Sequence, residues 1–582
     1  MLSRGLILGT LAATLALGAC GGGGSDDSRS DRGGRQTPEP KRGGTLTALW
    51  TGDVDSLDPG VTYYTPGYVV TRATQRTLMA YRPGDAADPV PDLAVAAPRV
   101  SRDGRTVTVR IRDGVRFSPP VDREVTSQDV KYGIERGFFR TVANGYVGSY
   151  FADLVGAQPG AAPGTRIAGI QTPDAHTVVF RLGRSGGRLL AGALAMPLAA
   201  PVPREYALRY DRRRPSAYAA HQVATGPYMV QADPRGRVTG YRPGQRISLV
   251  RNPRWDRRTD AKPAYVDGFE IREGNTAQGL ATRRVLRSGG MVTGDFSPPP
   301  TELERALRRD RDQLALPFAN GTRYVALNTT LPPLDDVNIR RAIVAGFDRR
   351  AMQLTRGGAA AAALATHFIP PGTPGFAAAG GQRGPAYDFL AHPGGDPALA
   401  ARYLRRAGFP GGRYEGDEEL LMVGVSGGND QRAAEIARDS LERLGFKVKL
   451  RLTTPETMLG KFCGTPSARV HVCPNLFWVR DFADAQTVLA PTFGGQSIAP
   501  QGNTNVSQLD VPAIDRAMAG AARAVDPRRR AVGWGAVDRM VTAEAAAVPV
   551  SWDRVPLARS PDVVGVVSQH LAQFDPTFSW VR

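Results

Sequence analysis

Apolar positions along the chain switch repeatedly between a period of two and a period near 3.6, with turn-forming residues at the switches. Residues 45–50 alternate as a strand and run into a Gly-, Asp- and Pro-rich stretch at 52–59. Residues 69–81 carry apolar side chains at helical spacing. Val107, Val109 and Ile111 alternate with polar residues, which predicts a half-buried strand. Thr126 is a helix cap ahead of 127–136, where Val130 and Ile134 share a face. Further strands are predicted at 177–182, 247–253 and 324–328, and helices at 338–355, 398–407 and 529–547. In the first of these helices Arg340, Arg341, Arg349 and Arg350 read as a solvated face. Residues 420–425, 431–444 and 447–452 form a βαβ pattern, and 548–550 returns to extended chain. Asp58-Pro59, Asp103-Gly104 and Asp113-Gly114 read as turns. Strands alternating with helices, without an internal repeat, predict an α/β protein.

The N-terminus changes the picture by fixing the compartment. Arg4 precedes an apolar run at 6–17, and Leu17-Gly18-Ala19-Cys20 closes it. This is the layout of a secretory signal, residues 1–19, ending in a lipobox-like segment that makes Cys20 the lipidation site. Residues 20–43 are rich in Gly, Ser and charge and have no apolar period, so they read as a disordered tether reaching about 25 Å. The expected location is the extracytoplasmic face of the cell membrane, held by a lipid anchor. Residues 189–202 are too short to span a bilayer and are broken by Pro197 and Pro201.

Length and composition add bounds. At roughly 100–200 residues per domain, 582 residues make three or four units. The chain is 42% hydrophobic, which excludes a disordered protein. Lys and Arg number 74 against 55 Asp and Glu, a net charge of +19. Only about six of the basic residues are Lys, and the Arg are scattered without an aromatic-interleaved stripe, so no nucleic-acid partner is expected.

Three candidate chemistries follow. Cys463 and Cys473 stand ten positions apart and, outside the cytoplasm, read as a disulfide; two free thiols or half a metal site is the alternative. The six His are dispersed and no ligand pair has zinc spacing, so neither metal nor cofactor is expected. Gly424-Val425-Ser426-Gly427-Gly428 fits G-x-S-x-G between a strand and a helix, with Asp481 or Asp484 and His570 following. That order makes a secreted serine hydrolase using Ser426 a remote alternative, weakened by the lack of an upstream His-Gly-Gly segment.

Ordered landmarks carry a resemblance. They are Arg42-Gly43-Gly44-Thr45-Leu46 with Leu57-Asp58-Pro59, Pro91-Asp92-Leu93-Ala94, Asp103-Gly104-Arg105-Thr106, and 111–117 followed by Thr126-Ser127-Gln128-Asp129-Val130. Thr225-Gly226-Pro227-Tyr228, then 324–328 with 338–343, complete the series. The chain resembles the bacterial extracellular solute-binding proteins of family 5, the peptide and oligopeptide receptors of ABC importers. It departs from them at Ser118-Pro119-Pro120, and it is enlarged at 209–218 and 378–393.

The resemblance implies a periplasmic-binding-protein-like fold (class II, cluster C) with an interlobe cleft. Lobe I is discontinuous, 44–86, 220–318 and 548–582; an extra domain, 87–219, is inserted in it; lobe II is 319–547. It further implies a monomeric, non-enzymatic protein that captures di- or oligopeptides and delivers them to the permease and ATPase subunits of an importer. The same fold binding a nickel chelate, a sugar or another solute is the alternative. Residues 477–482 resemble the family's W-x-x-D-Y segment, with Phe482 in place of Tyr. Asp481 is thereby expected to bind a peptide α-ammonium, with Trp478 and Phe482 beside it, unless Arg480 neutralises it. Tyr63, Tyr64 and Tyr68 are placed at the cleft mouth.

Overall fold

The computed structural model describes residues 39–582. The leader, Cys20 and the tether up to residue 38 lie outside the described residues. Among the described residues no helix is long and apolar enough to cross a membrane.

The first lobe is built on a six-stranded mixed sheet. Thr45–Leu49 lies between the edge strand Met291–Thr293 and Gly268–Arg272, parallel to both. Arg246–Arg251 continues the sheet antiparallel to Gly268–Arg272 and carries Tyr228–Val230 and the short Tyr241–Arg242. Leu46, Ala48 and Leu49 are all buried, so both faces of Thr45–Leu49 are covered.

The inserted domain has a four-stranded antiparallel sheet in the order Arg99–Val100, Thr106–Arg110, Thr177–Arg181, Ile170–Asp174. The helix Ser127–Gly137 begins in a reciprocal capping box between Thr126 and Asp129. It buries Val130 and Ile134 in the same core as Val107, Val109 and Phe180. Leu78 and Met79 also pack in this core, ahead of the expected start at 87.

A buried ion triad ties the domain to lobe I. Arg136 donates to Asp58 at 2.5 and 2.8 Å and to Asp211 at 2.6 and 2.9 Å. Burial alone would lower the Arg136 pKa, but the two carboxylates outweigh it and hold it raised. Asp58, read as a turn residue, is therefore also an anchor; Asp211 lies in one of the enlarged segments.

The second lobe has a six-stranded sheet in the order Ala362–Leu364, Ala547–Asp553, Gly321–Leu327, Val472–Val479, Glu419–Val425, Lys447–Thr453. The βαβ pattern appears as Glu419–Val425, the helix Gly428–Arg443, and Lys447–Thr453, with the strands parallel from Glu419↔Lys447 to Val425↔Thr453. Every residue of Gly321–Leu327 is buried, as suits a central strand.

Two expectations are corrected here. The helix read at 338–355 is two helices, Val337–Gly346 and Arg349–Thr355; Asp348 caps the second by accepting from the Ala351 N–H. Its arginines do not form one solvated face: Arg350 is exposed and Arg341 half-buried, but the other two are not. Arg340 is buried and donates to the carbonyls of Leu334, Asp335 and Glu544, while buried Arg349 donates to those of Ala365 and Leu390. Unpaired loop carbonyls recruit these guanidiniums, a demand that helical periodicity does not register. The lobe boundary read at 548 falls inside a strand: Ala547–Asp553 pairs with Gly321–Leu327, and first-lobe pairing resumes only at Leu557–Ala558, against Leu314–Ala315. The chain thus crosses between lobes at 316–320 and 554–556. The crossings lie side by side, joined by Ala319 N–H to Asp553 O at 2.9 Å and Val555 N–H to Pro317 O at 2.8 Å.

Candidate functional site

A cavity of about 970 Å³ separates the lobes. The first lobe contributes the 63–69 segment, the 295–300 loop and 570–573; the second contributes 427–430 and the end of the strand Val472–Val479 with the two residues after it. Ala319 and Val555, from the two crossings, also line it.

Asp481 follows that strand immediately and lines the cavity. Its carboxylate accepts hydrogen bonds from Tyr150 of the inserted domain and from Tyr63 of the first lobe. Burial pushes its pKa up to about 6, and the tyrosine hydroxyls pull against that rise. No cation contributes to this balance among the described residues. The phenols respond in kind: burial, then the nearby Asp481 charge, raises the pKa of both Tyr63 and Tyr150. Tyr68 lines the same cavity, and its buried hydroxyl has no hydrogen-bond partner among the described residues. Tyr63, Tyr146, Tyr150 and Phe482 form a continuous aromatic series, with ring centroids 5.3, 6.3 and 5.0 Å apart.

Arg480 does not neutralise Asp481. It turns to the opposite side, where it donates to the Gly372 carbonyl, Thr373 Oγ1 and the Ala86 carbonyl. Burial lowers its pKa to about 10, outweighing the opposing pull of Tyr81 and Asp85. Trp478 lines the cavity, with its indole N–H fixed on the Thr487 carbonyl at 2.9 Å. Tyr63 and Tyr64 line it as exposed rings. Phe482 does not line it: it is 1% exposed, packed edge-on against Tyr150 in the inserted domain's core.

Sequence reasoning missed Tyr150, Tyr146 and Arg356. The first two lie in another domain, with no local signal beyond their aromatic character. Arg356 stands at the end of a helix as one arginine among many. The hydrolase arrangement is not assembled: Ser426 Oγ donates to the Thr453 carbonyl at 3.2 Å, while His570 stacks on Tyr81 at 3.9 Å.

The sulfurs of Cys463 and Cys473 are bonded, closing a loop between the π-helical turn Met458–Cys463 and the strand Val472–Val479. In the chain-entropy account a loop this short contributes roughly 2–3 kcal/mol.

Comparison with known proteins matches this architecture to one family. The family model for bacterial extracellular solute-binding proteins, family 5 Middle, covers residues 88–499. Di/tripeptide-binding protein 2 of Pseudomonas aeruginosa is 25% identical over 475 residues, 78% of this chain and 80% of its own length. Heme-binding protein A of Haemophilus influenzae is 23% identical over 573 residues, 96% of this chain and 95% of its own. Among solved structures, clavulanic acid biosynthesis oligopeptide binding protein 2 has the same fold, with a TM-score of 0.80 at 29% identity, covering 94% of this chain and 96% of that one.

Proposed function

Because the chain belongs to the bacterial extracellular solute-binding proteins of family 5, we propose that it captures short peptides outside the cell and hands them, chemically unchanged, to the permease of an ABC importer. One observation carries the peptide assignment: a desolvated carboxylate, Asp481, lines the interlobe cavity with tyrosine partners and, among the described residues, no cation. Such a group is completed by an ammonium, and every unblocked peptide supplies one whatever its side chains. A cavity of 970 Å³ is near the upper end of the usual range for small-ligand sites, which suits a short peptide. Tyr63, Tyr64 and Trp478 give it rigid aromatic walls. Closure about the paired crossings shifts the population toward a form the permease recognises. ATP hydrolysis belongs to other subunits, as this chain has no G-x-x-x-x-G-K-[ST] loop.

The test is mass spectrometry of small molecules that co-purify with the protein. Peptides with free N-termini are expected, and N-acetylation of those peptides should abolish rebinding. A tetrapyrrole, sugar or metal chelate recovered instead would establish the non-peptide alternative, which the similarity to Heme-binding protein A along nearly the whole chain favours.

The protein acts, in this proposal, as a lipid-anchored monomer. Cys20→Ser in the producing cell is expected to shift it from the membrane fraction to the medium or periplasm and to end its labelling by palmitate. Unchanged fractionation would remove Cys20 as the anchor.

A further inference from the structure

A second cavity, of about 590 Å³, opens off the cleft inside the second lobe. The two share Arg356, Asp430, Phe477 and Trp478 at their junction. The inner cavity is walled by Tyr324, Met458, Leu459, Phe477 and Trp478. Leu459 is 50% exposed, an apolar side chain at the rim.

Two polar features are unused. Asn503 lines the cavity and is 4% exposed. Its Nδ2 donates to the Asn505 carbonyl, while its Oδ1 accepts from nothing among the described residues. A buried acceptor without a donor is a standing penalty that a ligand N–H or O–H would relieve. At the junction, Arg356 stands 3.6 Å from Asp553 and 3.9 Å from Asp430, too far for hydrogen bonds, so its guanidinium donors are available to a ligand carbonyl or carboxylate.

The cavity is held open by covalent and hydrogen-bonded means. The disulfide fastens the Met458–Cys463 turn to the strand that forms the cavity floor. The Asn503 N–H, donating to the Gly464 carbonyl at 3.0 Å, docks the other wall onto that turn.

We propose that this inner cavity is a specificity subsite for an aromatic side chain bearing a hydrogen-bond donor, an indole or a phenol, with Arg356 at its mouth holding the adjoining ligand carbonyl. The assignment to a peptide's side chain rests on the proposed peptide capture. Trp478 is three residues from Asp481, within about 11 Å even for fully extended chain. A peptide whose ammonium sits on Asp481 therefore brings one of its first three side chains to the opening.

The test uses the full-length protein in detergent and two kinds of probe. By calorimetry, Ala-Ala-Ala is compared with Trp-Ala-Ala, Ala-Trp-Ala and Ala-Ala-Trp. One of the Trp peptides is expected to bind about ten- to a hundredfold more tightly than Ala-Ala-Ala. Indole alone is titrated while the Met458 methyl resonance is followed, which reads the cavity without any peptide. Val506→Trp, which fills the cavity, and Leu459→Asp, which charges its exposed rim, should each remove the aromatic preference and the indole-induced shift. Both should leave Ala-Ala-Ala affinity within about twofold. Binding of Ala-Ala-Ala with no preference for Trp at any position and no methyl shift would overturn the subsite and leave peptide capture standing. A methyl shift with indole, abolished in both variants, while no tripeptide binds would do the reverse.

Discussion

Asp481→Asn loses its peptide and melts at a higher temperature. Both effects come from the same missing charge. In the folded protein burial holds the Asp481 pKa at about 6, above its ordinary value, so the ionised form is disfavoured by the fold. A peptide ammonium reverses that imbalance, and breaking such a buried pair typically costs about 3–5 kcal/mol, or two to three and a half orders of magnitude in dissociation constant. Asparagine keeps the shape and can still bond to the Tyr63 and Tyr150 hydroxyls, but it carries no charge to pair.

The sign of the stability effect follows from linkage. Because the folded pKa is raised, the folded state binds more protons between about pH 4 and pH 6, and this group's contribution to stability falls as pH rises through that window. Above pH 6 the penalty is fully present. At 1.36 kcal/mol per pKa unit it is at most about 3 kcal/mol, reduced by the water that reaches a half-buried side chain. Asp481→Asn is therefore more stable than the parent at pH 7 and indistinguishable from it near pH 4. Parent affinity should decline below about pH 6 as Asp481 takes up a proton, and again above about pH 8 as the peptide amine loses one. Calorimetry across pH 5–9 measures both limbs. An unchanged dissociation constant in the variant takes Asp481 out of the site.

Arg136→Met leaves the protein severely destabilised or unfolded. The substitution strands Asp58 and Asp211, which are 1% and 0% exposed, as two buried carboxylates with no counter-ion. Losing one partner of a buried ion pair costs about 3–5 kcal/mol, and here both carboxylates lose theirs; whole domains are commonly stable by only 5–15 kcal/mol. Burial opposes ionisation of Asp211, but Arg136 overcomes it and the pKa is lowered, so its share of stability is present at neutral pH and vanishes as pH falls through the folded pKa. Neutralising all three, as Arg136→Met with Asp58→Asn and Asp211→Asn, should restore most of the loss, because the desolvation penalty disappears along with the attraction. Denaturant midpoints of the parent, the single variant and the triple variant decide the matter. A single variant with the parent's midpoint would show that the triad carries no net energy.

The same triad marks where sequence stops being informative. Strands and helices were legible because burial writes a period into the chain, as at Val107, Val109 and Ile111 or in the parallel pair Glu419–Val425 and Lys447–Thr453. Ion partners carry no period. Arg136 meets Asp58 and Asp211 across 78 and 75 residues, and nothing near Asp58 distinguishes an anchor from a turn. Arg340 and Arg349 looked solvated because a guanidinium's burial is decided by carbonyls in distant loops. Local resemblance pointed to Asp481, and the structure puts it in the cleft. Tyr150, 331 residues away in sequence, became visible only in three dimensions, and Phe482 proved to belong to the layer beneath.

The two crossings have a mechanical corollary. Strands bonded edge to edge, as 316–320 and 554–556 are, flex easily out of their common plane and resist shear within it. Two halves between which the described chain passes only along such a ribbon open like a book along one spine, without wandering sideways. Each swing therefore returns residues 480–483 to the same landing place, where Arg480 meets the Ala86 carbonyl and the Ala483 N–H meets the Tyr81 hydroxyl. The precision of the clasp is set close at hand, where the Arg480 N–H donates to the Asn320 carbonyl of the first crossing at 3.0 Å and Ala319 and Val555 face the cavity.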